Sequence, residues 1–358
     1  MPRLPPEQSD FVQTNGISFH FRGTPLPLSG ANNYYLGFAP DSMVQPVFKL
    51  ASDARMNVLR AWACLDCGAA VGGAVPPGTQ WGAYFHYWDA AAQKPAFNDG
   101  PDGFERLDRT IALAEQYDIR LILPLVNYWN DFGGMKQYLD WFALSNQIEF
   151  YTRSETRQAF RHYIQHVITR VNTCTGRQYR DEPSILAWEL ANEPRCMRED
   201  GKPLPEILLA WIHEMSAWMK TLDANHLIGT GDEGHFGLYG VDCERILKID
   251  TIDFGTCHYY PHFAGEQDPV EFGRCWIRER IRAGERAGKP MLLEEFGWKV
   301  DAANQELGKR RREAAFAAWR DEVTQSGGAG ALVWMLAASL PDGSPYPDYD
   351  GYTVYTCE

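Results

Sequence analysis

The chain has 358 residues, of which 45% are hydrophobic and 23% charged, close to a soluble globular average. Lys and Arg total 34 against 47 Asp and Glu, a formal net charge of −13, and a surface this acidic repels phosphate backbones, which argues against nucleic-acid binding through bulk electrostatics. No stretch approaches the roughly 20 apolar residues that span a bilayer, and residues 1–10 (MPRLPPEQSD) lack the apolar core of a secretory leader, so a cytoplasmic protein without membrane partners is expected.

In chain order, Phe11-Val12-Gln13 and Ile17-Ser18-Phe19-His20-Phe21 flank Asn15-Gly16, a hairpin signal over 11–21. Eight strand candidates follow: Leu28–Asn32, Asn57–Trp62, Arg120–Val126, Ile185–Leu190, His226–Gly229, Ile252–Cys257, Pro290–Glu294 and Ala329–Trp334. Helical stripes lie between them at Phe104–Tyr117, Glu155–Val171, Ile207–Leu222, Pro269–Ala287 and Gln305–Thr324. A helix near Ser42–Ala54 is weakened by Pro46. Strand-helix alternation implies parallel strands with helical crossovers. Eight repeats fit an α/β fold of the (β/α)8 TIM barrel type, with the hairpin plugging the bottom; a doubly wound open sheet is the competitor. No G-x-G-x-x-G follows the first strand and no G-x-x-x-x-G-K-[ST] occurs, so the nucleotide-binding open sheets lose their signature. No low-complexity linker interrupts the chain, which reads as one domain over 1–358.

Two connections, 63–100 and 127–154, are too long for simple turns and rich in aromatic residues, among them Trp81, His86, Trp88, Tyr128 and Trp129. Both follow a strand and so belong on the C-terminal face, where barrel active sites form. Aromatic residues make up 13% of the chain, and a surplus in such loops suits a site that stacks flat apolar faces such as sugar rings. The eight cysteines are scattered; Cys64 and Cys67 have metal or redox spacing without a second pair, so buried free thiols are the simpler reading.

The fourth strand runs into Ala191-Asn192-Glu193-Pro194 and the seventh into Glu294-Glu295-Phe296-Gly297. Two carboxylates at strand ends on opposite sides of a barrel mouth face each other across it. Glycoside hydrolysis needs such a pair, one to protonate the leaving oxygen and one to attack or stabilise the anomeric carbon. Strand alternation turns Glu294 to the face opposite Glu295, as a structural group paired with a helix arginine. Glu189 lies inside its strand, in an interior hydrogen-bonding role.

These motifs resemble glycoside hydrolase family 5, in the clan of retaining (β/α)8 hydrolases. Asn192-Glu193-Pro194 is similar to its acid/base motif and Glu295-Phe296-Gly297 to its nucleophile motif. Arg60 on the second strand, His258 and Tyr260 on the sixth and Trp334 on the eighth also match, in order, over about Phe11 to Tyr355. The resemblance implies that Glu193 is the general acid and then base, and that Glu295 is the nucleophile, held by Arg60 and the Tyr260 hydroxyl. It further implies that Asn192 bonds the sugar 2-hydroxyl, His258 positions the acid or the sugar, and Trp334 floors the first subsite. Retention needs the carboxyl groups about 5–5.5 Å apart, inversion about 6.5–9.5 Å. No cofactor and no metal is implied, and a metal-dependent barrel lacks its His-x-His after the first strand.

Within the family the resemblance is to mannoside- and mannan-active members, through Asn32-Asn33-Tyr34-Tyr35-Leu36, Tyr87-Trp88-Asp89, Asn127-Tyr128-Trp129, Gly231-Asp232-Glu233-Gly234 and Tyr346-Pro347-Asp348-Tyr349-Asp350-Gly351. The partner implied is an oligosaccharide substrate; the sequence carries no signal for oligomeric state. His86, Trp88, Asn127, Trp129 and Glu233 are candidate sugar contacts. The two aromatic loops and the absent leader favour an exo-acting β-mannosidase on short β-1,4-mannosides, the mannosyl-β-1,4-N-acetylglucosamine core of N-glycans among them. An endo-1,4-β-mannanase is the alternative, and a non-catalytic carbohydrate-binding barrel is the alternative of another class.

Overall fold

The computed structural model describes residues 6–72, 74–300 and 305–355. Eight parallel strands form the barrel: β1 Leu28–Asn32, β2 Val58–Arg60, β3 Arg120–Pro124, β4 Ile185–Glu189, β5 Leu227–Gly229, β6 Gly255–Tyr259, β7 Met291–Phe296 and β8 Gly330–Val333. All chain neighbours pair except β5 and β6, and β8 closes onto β1. The seam between β5 and β6 has no regular ladder; the Asp253 amide donating to Ile228 O (2.8 Å) and the His258 amide donating to Glu233 O (3.2 Å) span it.

The crossovers are helical as the stripes require. They are α1 Asp41–Asp53, α2 Phe104–Gln116, α3 Ser154–Thr169, α4 Pro205–Leu222, the short α5 Cys243–Ile246, α6 Pro269–Ala287 and α7 Gln305–Gln325. Helix α1 runs through Pro46, because Met43, Val44, Val47, Phe48 and Ala51 still bury one continuous face and only one backbone bond is forfeited. No helix among the described residues is long and apolar enough to cross a membrane.

The expected hairpin pairs Gln13–Asn15 with Ser18–Phe21, and a third short strand, Thr24–Pro25, joins them. The turn centres on Gly16-Ile17, one residue later than the Asn-Gly pattern suggested; Gly16 has φ +59°, which suits glycine at the first centre of a hairpin turn. Val12 and Phe19 from the hairpin pack with Leu28, Val58, Ala187, Phe254, Leu292 and Leu332, sealing the barrel bottom. Two residues further along the strands the inward face turns polar: Val58 leads to Arg60, Ala187 to Glu189 and Leu292 to Glu294. An apolar floor under a polar layer thus follows from strand period two.

The two long connections are not bare loops. Asp66–Ala70, His86–Asp89 and Lys94–Phe97 form a small three-stranded sheet, and helices Gly134–Trp141 and Ile148–Thr152 fill the second connection. The two pack together: the Asp66 amide donates to Phe132 O (2.9 Å) and Trp141 Nε1 to Cys67 O (3.0 Å). Gly133 makes this approach possible, with φ +80° and no room for a Cβ, which would fall 1.9 Å from Asp66 O. Cys64 and Cys67 are buried free thiols, as composition suggested.

Candidate active site

The polar layer is organised by Arg60, which is fully buried. Its Nε donates to Glu189 Oε2 (2.8 Å), Nη1 to Glu295 Oε1 (2.7 Å) and Asn32 Oδ1 (3.2 Å), and Nη2 to Asn192 Oδ1 (2.9 Å). One guanidinium fork therefore ties β1, β2, β4 and β7 together, a geometry that lysine could not supply. A lone buried cation would be costly; burial alone would lower its proton affinity, but Glu189, Glu294 and Glu295 reverse that and hold it charged.

Glu193 follows β4 with φ +50°, in the left-handed region that a non-glycine residue enters at a cost of about 1–3 kcal/mol. The backbone is held there on both sides: the Asn192 amide donates to Val126 O and the Glu193 amide to Gly231 O, each at 2.8 Å. Trp129 Nε1 donates to Glu193 Oε2 (2.6 Å), and His258 Nδ1 lies 2.6 Å from Glu193 Oε1. Opposite, Tyr260 Oη donates to Glu295 Oε2 (2.7 Å). One oxygen of Glu193 and one of Glu295 lie within 4.8 Å of each other, with a His258 ring nitrogen equally near. Burial pushes Glu295 above the ordinary glutamate range and Glu193 adds to this, while His258, Arg60 and Tyr260 pull it back. Burial would lower His258, but the surrounding carboxylates, Glu295 foremost, raise it well above a free histidine.

Glu193, His258 and Glu295 form the one grouping of metal-ligand type among the described residues. Its oxygens already receive the Trp129, Tyr260 and Arg60 donors, and the adjacent guanidinium repels a cation.

A cavity of about 640 Å³ opens over the pair, lined by Asn127, Trp129, Asn192, Glu193, Tyr260, Glu295 and Trp334. Its walls include Tyr34, Trp62, Trp81, Phe132, His262, Tyr346, Tyr349, Asp350 and Tyr352. Trp334 is half-buried, its Nε1 donating to Asp350 Oδ2 (2.8 Å). Asn192 Nδ2 donates to Asn127 Oδ1 (3.0 Å). A second cavity of about 600 Å³ adjoins the first and shares Trp129, Glu193, Tyr260 and His262 with it. Glu233 lines this second space, buried and clamped by Arg195 through two bonds (2.7 and 2.6 Å).

Three expectations need correction. His86 does not reach the cavity. It is fully buried between the two long connections, with Nδ1 3.0 Å from Asp66 Oδ1 and rings of Phe97, Tyr138, Trp141 and Tyr163 around it. Trp88 likewise packs edge-on against Phe142 in the small sheet, outside the cavity lining. Glu294 does not face a helix arginine. The β6–β7 register pairs Cys257 with Leu293 and His258 with Glu295, so a β-bulge falls at Glu294: Glu294 keeps the inward face of Leu292, toward Arg60 (3.4 Å) and His258 (3.2 Å), and the bulge brings Glu295 inward beside it. Glu189 has the interior hydrogen-bonding place expected of it. Arg195, His262 and the Asp350 carboxylate were missed; Arg195 stands two residues beyond Glu193, the one signal that could have marked it.

A family model described as GH family 5 beta-mannosidase-like matches residues 9–327. The chain belongs to glycoside hydrolase family 5. This family-5 chain is a glycosidase built on the TIM barrel of its relatives. It is 33% identical over 366 residues to the probable mannan endo-1,4-beta-mannosidase F of Neosartorya fischeri, covering 98% of this chain and 73% of that one. It is also 33% identical to mannan endo-1,4-beta-mannosidase A of Podospora anserina, covering 96% and 86%. Among solved structures it is similar to the endo-1,4-beta-mannanase from Rhizomucor miehei, with TM-score 0.83, 33% identity and coverage of 96% and 94%.

Proposed function

We propose that this family-5 glycosidase is a retaining endo-1,4-β-mannanase, with Glu295 as nucleophile and Glu193 as acid/base. The observation that carries the reading is the position of the pair: oxygens within 4.8 Å of each other, beside two adjoining cavities that share Glu193, Trp129 and Tyr260. That separation suits a covalent glycosyl-enzyme and leaves little room for the water an inverting enzyme holds between its carboxyl groups. Glu193 protonates the glycosidic oxygen as Glu295 attacks the anomeric carbon, and the bond to the leaving sugar breaks. Glu193 then takes a proton from water, whose oxygen displaces Glu295 and restores the free carboxylate. Arg60 and Tyr260 orient Glu295; His258 and Trp129 orient Glu193. Asn192 holds its amide between Arg60 and Asn127, leaving one N–H for the sugar 2-hydroxyl, and Trp334 offers a ring face for the sugar bound there.

Mannan as substrate is supported by the names of the relatives. The endo reading replaces the exo-β-mannosidase favoured by the sequence, because the relatives similar over almost the whole chain are named as endo-1,4-mannan enzymes, and two cavities rather than one meet at Glu193. Digestion of mannohexaose tests it: mid-chain fragments are expected first, and mannose as the sole early product would overturn endo action in favour of exo. Glu295→Ala is expected to abolish turnover while retaining sugar binding; full activity in that variant would reject the assignment, whereas a parent protein that binds mannohexaose without cleaving it would reopen the binding-barrel alternative.

A further inference from the structure

Beneath the reacting pair lie two carboxylates that the double displacement does not use. Glu189 on β4 and Glu294 on β7 are fully buried and within hydrogen-bonding reach of each other. Arg60 Nε donates to Glu189 Oε2 at 2.8 Å and stands 3.4 Å from Glu294 Oε2. His258 Nε2 lies 3.2 Å from that Glu294 oxygen, while Nδ1 of the same ring lies 2.6 Å from Glu193. The other oxygens, Glu189 Oε1 and Glu294 Oε1, meet no donor from the rest of the protein. Two touching carboxylates sealed from water do not both ionise; one keeps a proton and gives it to the other as a hydrogen bond. The charges facing them agree. Arg60 from β2 and a protonated His258 from β6 supply two positive charges, which Glu295 and one further carboxylate neutralise. Asp232 after β5 and the Cys257 thiol of β6 also face Glu294, and burial pushes them up to about 7 and about 12.

We propose that Glu189 carries a proton that it donates to Glu294, and that the ionised Glu294 is a positioning group acting on the nucleophile through Arg60 and on the acid/base through His258. Glu294 is the better anion because two cations flank it. Against the burial that would raise it, Arg60, the Glu189 hydrogen bond and His258 hold it below the ordinary glutamate range. Burial holds Glu189 well above that range. The chain Glu193–His258–Glu294–Glu189 thus links the groove to a buried proton.

The inference rests on Glu193 and Glu295 as the reacting pair. The two failures read differently: that assignment falls if Glu295→Ala turns over, whereas this one is tested in variants that remain active. The test is the pH dependence of kcat/KM on mannohexaose. Glu189→Gln keeps a neutral N–H donor toward Glu294 and is expected to leave both limbs in place. Glu294→Gln takes the negative charge away from His258, even where Glu189 ionises in Arg60's field instead, and is expected to move both limbs to lower pH. Limbs that move in Glu189→Gln, or stay fixed in both variants, would overturn it. Infrared spectroscopy covers the case in which Glu294→Gln does not fold: at neutral pH the parent protein is expected to show one C=O stretch of a buried protonated carboxyl that Glu189→Gln lacks, bands of other protonated carboxyls being common to both. No difference between the two spectra would overturn the inference equally.

Discussion

Tyr260→Phe removes one atom from the site and leaves the ring. The ring stacks on His262 and meets Tyr352 edge-on, and both contacts survive in phenylalanine. What is lost is the hydroxyl 2.7 Å from Glu295 Oε2. Burial and the neighbouring carboxylates push the Tyr260 hydroxyl well above a free tyrosine, so it remains a donor throughout the working range. A hydrogen bond to a charged group contributes about 1.5–3 kcal/mol, and one pH unit corresponds to about 1.36 kcal/mol, so its loss raises Glu295 by about 1 to 2 units. The sign follows from the charge: the hydroxyl favours the carboxylate, and without it Glu295 takes up a proton at higher pH. The acid limb of kcat/KM should therefore move up by that amount, while the thermal midpoint changes little. An acid limb that stays in place, in a variant with wild-type stability, would refute the assignment of Tyr260 as the donor that keeps the nucleophile ionised.

Phe19→Ala opens the barrel floor opposite the site, where the ring meets Phe254 edge-to-face at 5.5 Å, and is expected to cost about 3–5 kcal/mol in chemical denaturation with kcat/KM unchanged below the transition. Gly231→Ala adds a Cβ 2.0 Å from Ala191 O at a residue with φ +74°, so the strand end carrying Glu193 must shift; both stability and kcat should fall. Gly16→Ala, at φ +59° in open space, is its control, with a cost of about 1–2 kcal/mol from strain alone and full activity. Equal kcat in the two alanine variants would show that the Gly231 approach does not position Glu193.

The repeating unit was legible because it is local. Strand period, helical stripes and turn residues act over a few neighbours, so eight strands and six of the seven crossover helices could be placed to within a few residues; the one-turn helix Cys243–Ile246 is too short to show a stripe. The facing carboxylates Glu193 and Glu295 were legible because the fold puts strand ends at the mouth, whatever the rest of the chain does. The errors at Glu294, His86 and Trp88 have one source. Alternation predicts facing only while register holds, and the bulge in β7 turns two consecutive glutamates inward. His86 and Trp88 looked like loop residues free to reach a ligand, but the connection that holds them folds into a sheet of its own and packs against the next one.

From the order of residues alone came the barrel, the acidic surface and the two carboxylates at the barrel mouth, since each depends on pattern or composition. Only the tertiary structure decided that Arg60 ties its own strand to three others, that a second carboxylate pair lies beneath the first, and that two cavities meet at Glu193. Those features depend on distances between residues more than a hundred positions apart, and on desolvation that exists only once the barrel has closed around them.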